Sequence, residues 1–68
     1  MEAVQKVSLA GFEPQDRARV VAIASQLVEG MVVNGEIACT DEAIRGAMPQ
    51  ALRDAKAAVA AANEFVCG

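Results

Sequence analysis

Ala51-Leu52-Arg53-Asp54-Ala55-Lys56-Ala57-Ala58-Val59-Ala60-Ala61-Ala62-Asn63-Glu64-Phe65-Val66 carries the clearest pattern in the chain. Leu52, Ala55, Val59, Ala62 and Val66 recur at alternating spacings of three and four, and Ala51, Ala58 and Phe65 flank them on one side. That recurrence is one face of a helix. Seven alanines between Ala51 and Ala62 give the segment the strongest helix propensity in the sequence. Most of the face is small, so a second helix can approach it closely.

Immediately upstream stands Pro49. It has no N–H to give the carbonyl of Arg45, and its ring crowds that carbonyl. The helix is therefore expected to break near Met48 or to kink there, the break being favoured, with Gly46 weakening the same turn. On this reading one helix covers about 41–47 and another about 49–66. Thr40 is the natural N-cap of the first, because its hydroxyl can accept an N–H from the first turn. Asp41 and Glu42 then place negative charge where the helix dipole favours it.

A further helix is expected over about 14–29. Pro14 suits the first helical position, where its missing N–H would be unpaired anyway. Asp16 falls in the first turn. Val20, Val21, Ala24, Leu27, Val28 and Met31 share one broad face, opposite Gln15, Arg19, Gln26 and Glu29. Gly30 is read as the stop. Between Gly30 and Thr40, Asn34-Gly35 sits between short apolar runs, which is the strongest local signal for a β-hairpin with a type I′ turn. Residues 31–39 are thus either a short hairpin or a helix-to-helix loop turning at Asn34-Gly35. Residues 1–12 fit a short strand (Gln5, Val7 and Leu9 alternating), a helix stopped by Gly11, or an arm.

The expected fold is mainly α: a small helical bundle in a single domain, 1–68, with the hairpin at 31–39 as an optional addition. An α+β arrangement is the alternative. A chain of 68 residues buries only about 60% of its unfolded surface. Cores of this size rarely supply more than ~3–5 kcal/mol. The chain is 54% hydrophobic, yet it has two Phe and no Trp or Tyr. Large anchors are scarce, which favours extended helix contacts and self-association.

The composition also bounds the chemistry. Histidine, the commonest general base, is absent. Ser8, Ser25 and Thr40 have no base nearby in sequence. Glu13 with Asp16 and Asp41 with Glu42 are accounted for by helix starts. Gly11, Gly30, Gly35, Gly46 and Gly68 match no phosphate-loop spacing. Cys39 and Cys67, 28 positions apart with no CxxC, fit neither a zinc site nor a redox pair. Both are read as reduced, semi-buried thiols in a cytoplasmic protein. No catalytic, cofactor or metal residues are nominated, and no enzyme is expected. No apolar run approaches the length of a membrane span. A net charge of -3 argues against a nucleic-acid partner.

What remains is surface. The expected function is a non-enzymatic protein-interaction or regulatory module, a homodimer or a binder of another protein. Its interface residues would be Ala51, Leu52, Ala55, Ala58, Val59, Ala62, Phe65 and Val66. The competing use of the same face is packing on the 14–29 helix of its own chain.

The order strand, helix, turn, helix over residues 4–48 resembles the ribbon-helix-helix repressors, although no specific motif supports it. That resemblance implies a dimeric DNA-binding regulator in which Lys6 and Ser8 face DNA, helped by Arg17 and Arg19. The acidic balance and the long 30–40 segment depart from the family's pattern. A third reading is an antitoxin or inhibitor that folds fully on its target.

Overall fold

The computed structural model describes residues 6–67. Two helices, α1 (Pro14–Val33) and α2 (Asp41–Glu64), form an antiparallel hairpin. The mainly helical expectation holds, with two helices in place of three. No strand occurs among the described residues.

α1 begins where Pro14 allows it, with Asp16 in the first turn and the Arg17 N–H donating to the Glu13 carbonyl at 2.9 Å. It does not stop at Gly30. Met31 and Val32, the next two residues, are half-buried and apolar, and carrying the helix through them offsets the ~1 kcal/mol that a mid-helix glycine costs.

The stop lies at Asn34-Gly35, so of the two readings of 31–39 the helix-to-helix loop turning there holds and the possible β-hairpin does not form. A type I′ turn needs positive φ at both central residues. Here Asn34 has φ -82° and ψ 0°, still right-handed, and only Gly35 is left-handed at φ 75°. The Glu36 N–H donates to the Met31 carbonyl at 2.8 Å and the Gly35 N–H to the Val32 carbonyl at 3.1 Å. These are the two bonds of a Schellman cap, which satisfies the last carbonyls of a helix. Asn-Gly is thus the end of α1. Beyond it Ile37 folds back onto the core.

α2 opens as expected, with the Ala43 N–H donating to Thr40 Oγ1 at 3.2 Å. It then runs without interruption through Pro49, which corrects the expected division into 41–47 and 49–66. An interior proline costs roughly 3 kcal/mol or more. Against that, apolar residues on both sides of it bury against α1: Ile44, Ala47 and Met48 before it, Ala51, Leu52 and Ala55 after. Breaking the helix would turn one of these sets away. α2 also ends earlier than read, at Glu64. Phe65 is its C-cap, its N–H donating to the Ala62 carbonyl at 3.2 Å, and Val66 lies outside the helix.

The core is a pair of rows. On α1, Val20, Ala24 and Val28 are buried; on α2, Ala51, Ala55 and Val59. Each row steps by four residues. Packing of such rows against each other is the commonest class of helix contact. Asn63 Nδ2 donates to Asp16 Oδ2 at 3.2 Å and sets the antiparallel register. Counting one turn at a time from that pair toward the loop, Val20 comes level with Val59, Ala24 with Ala55, and Val28 with Ala51. The alanine layer lies in the middle, where close approach is greatest.

Residues 6–13 form an irregular arm laid on α2, neither strand nor helix; residues 1–5, included in the expected arm or strand, lie outside the described region. The arm turns at Leu9–Phe12, with the Phe12 N–H donating to the Leu9 carbonyl at 3.2 Å. Gly11 takes φ 90° there, as the third position of a type II turn requires. Leu9 and Phe12 pack against the core. Lys56 anchors the arm, its Nζ donating to the Ser8 carbonyl at 2.9 Å.

Candidate functional site

The eight nominated interface residues divide into two groups. Ala51, Ala55 and Val59 are buried in the helix pair and Leu52 is half-buried against it. Their stripe is used by the protein's own fold. Ala58, Ala62, Phe65 and Val66 are exposed. Phe65 is 87% exposed and Val66 71%, so one of the chain's two phenylalanines contributes nothing to the core. The division follows from the geometry of the rows. A row stepping by four drifts around its helix, and toward the end of α2 it carries the contact line to Asn63. Ala62 and Val66 continue the three-four stripe instead, Phe65 flanks it, and all three are left uncovered.

Other large apolar residues are open as well: Val21, Leu27 and Val33 on α1. The broad α1 face is wider than one neighbouring helix covers. At the loop end Val28, Val32, Ile44, Met48 and Cys39 help line a shallow apolar cleft of about 570 Å³.

A second groove, of about 530 Å³, lies between the arm and α2. Val7, Phe12, Ala57 and Ala60 line its apolar part, and Lys6, Arg53 and Lys56 bring three of the chain's six basic residues to it. Lys56 Nζ stands 5.9 Å from the centre of the Phe12 ring, within cation–π range. Arg53 donates from Nε and Nη2 to Gln50 Oε1, at 3.3 and 3.0 Å. No carboxylate among the described residues forms an ion pair with any of these three cations; the ion pairs found are Arg19–Asp16 and Arg45–Asp41. Nothing in the sequence reading singled out this groove, because Phe12 and Lys56 lie far apart in the chain.

The four residues of the DNA-binding alternative are placed as follows. Lys6 is exposed at the rim of this groove. Ser8 is occupied locally: its Oγ accepts from the Ala10 N–H at 3.2 Å and its carbonyl accepts from Lys56. Arg17 is exposed on α1, and Arg19 Nη1 lies 3.5 Å from Asp16 Oδ1.

Among the described residues no group of His, Cys, Asp or Glu side chains has the arrangement of a metal site, and no helix is long and apolar enough to cross a membrane. Ser25 donates to the Val21 carbonyl at 2.9 Å, as an ordinary helix serine does. Both cysteines are free thiols, and both are exposed where semi-buried positions were expected. Cys39 lies in the loop and Cys67 follows α2, so neither is on a buried helix face. Comparison with known protein families, with curated proteins and with solved structures finds no match to this chain.

Proposed function

We propose that this protein is a non-catalytic interaction module that acts as a homodimer. One observation carries the reading: Phe65, with Val66 beside it, stands almost fully exposed at the end of α2, next to the exposed Ala58 and Ala62. A chain with so few large apolar residues leaves its heaviest one in water, where burial against another surface would gain most. Aromatic side chains bury 150–250 Å² each and dominate interface energetics. The small two-row core supports the same conclusion, since domains of this size usually need a partner chain or a covalent staple. Exposed Val21 and Leu27 supply further apolar surface.

The test is the mass in solution. Light scattering over a dilution series at micromolar concentration should report twice the chain's 7.0 kDa, falling to the monomer on dilution. Phe65→Ser should move that transition to higher concentration. A constant mass of one chain would refute the reading.

A further inference from the structure

The basic groove and the exposed end of α2 are complementary to each other. The groove offers Arg53, Lys56 and Lys6 beside Phe12 and two alanines. The end of α2 offers a carboxylate, Glu64, followed by the exposed Phe65 and Val66. Within one chain the two cannot meet. Arg53 and Glu64 belong to the same continuous helix, eleven residues and therefore about 16 Å apart along its axis. Glu64 can therefore meet Arg53 only when the two belong to different molecules.

The outer side of α2 shows how. Arg53, Ala57, Ala60 and Glu64 are all exposed and recur at spacings of four, three and four. This order is self-complementary when reversed. If two copies of α2 lie antiparallel, Arg53 of one comes level with Glu64 of the other when Ala57 comes level with Ala60. A two-fold axis repeats the same meeting at the opposite end, as an isologous interface requires. The alanines let the two helices close up.

We infer that a second copy of this chain lies against the basic groove, with α2 pairing antiparallel to α2 and Arg53 facing Glu64 of the second copy in two symmetric ion pairs. The inference rests on the homodimer reading and deepens it by naming the surface. That surface is the outer side of α2, opposite the row that packs on α1.

Charge reversal and exchange test it by sedimentation equilibrium on the whole chain. Arg53→Glu and Glu64→Arg should each weaken dimerisation by at least about tenfold in Kd, a change of about 1.4 kcal/mol. The double variant Arg53→Glu/Glu64→Arg should recover most of the loss, because the pair is restored with its signs exchanged. Both side chains are exposed, so far-UV circular dichroism should show unchanged helix content in all three proteins. As a steric check on the same surface, Ala60→Arg should weaken the dimer too. A wild-type dimer that ignores all of these changes would overturn the inference and leave the homodimer reading standing. A wild-type monomer would overturn both. If Arg53→Glu alone had an effect, with no rescue in the double variant, the groove would hold some other anion and the assignment would fail.

Discussion

Asn63 reaches across the open end of the hairpin to Asp16, its Nδ2 donating to Oδ2 at 3.2 Å over a sequence separation of 47 residues. Among the described residues it is the side-chain hydrogen bond that ties α1 directly to α2, and it sits at the end of the line on which Val20 meets the level of Val59. Asp16 serves three purposes at once: first-turn acid of α1, ion-pair partner of Arg19, and acceptor for Asn63. Asn63→Ala should destabilise by ~0.5–1 kcal/mol, the lower part of the range for such bonds because the site is exposed. Asp16→Ala should cost more, since it also removes the dipole and ion-pair contributions. Urea unfolding of both variants checks the order.

The middle layer of the core should be the least tolerant of added volume. Ala24 and Ala55 are 0% and 1% exposed, and a longer side chain at either would force the helices apart. Ala55→Leu should destabilise by ~1–3 kcal/mol. Ala61→Leu, six residues away and exposed, should stay within about 0.5 kcal/mol of the parent. Thermal unfolding of the pair separates a packed alanine from a surface one.

Glycine replacements should change sign along the chain. Gly30 and Gly46 lie inside helices, and a Cβ at either meets nothing within 4 Å. Alanine at each should stabilise by up to ~1 kcal/mol. Gly35→Ala should destabilise by ~1–2 kcal/mol, because φ 75° is left-handed and its space is not the constraint. Melting temperatures of the three single variants would show two increases and one decrease.

Thr40→Ala removes the hydroxyl that accepts from Ala43. A loss of ~1 kcal/mol is expected. Thr40→Asp should retain most of the stability, which distinguishes loss of the cap from a general effect of substitution. Chemical denaturation is again the measurement.

The features legible in the sequence were those governed by local chemistry. Pro14 at the start of α1, Thr40 as cap and the apolar periodicities all hold, because each depends on residues within one or two turns. Asn34-Gly35 leaves hairpin and helix-to-helix turn both open, because a left-handed glycine serves both a type I′ turn and a helix C-cap. The two differ only in the φ of Asn34, and the length of α1 determines that. Pro49 was misread for a related reason: the local penalty is real, but the apolar residues on both sides of it favour one unbroken helix. At the candidate site, the three-four stripe correctly marked a packing face and could not say where its cover ends. That depends on the row of Val20, Ala24 and Val28, which steps by four and leaves Phe65 behind. The basic groove was invisible because it requires Lys6 and Phe12 to meet Arg53 and Lys56 across the fold.

Pro49 has one more effect, on how the molecule opens. Without its N–H, the Arg45 carbonyl has no partner from the next turn, so the ladder of backbone hydrogen bonds in α2 is interrupted there. The N–H groups of Gln50, Ala51 and Leu52 still reach back to Gly46, Ala47 and Met48 in the continuous helix, so the turns from Asp41 to Met48 stay joined to the rest of α2 through a weakened ladder. Regions linked in that way open as separate units, at lower free energy than the whole. Amide hydrogen exchange should therefore be faster from Asp41 to Met48 than around Ala55. The Cys39 end of the hairpin would breathe while the Asp16–Asn63 end stays closed.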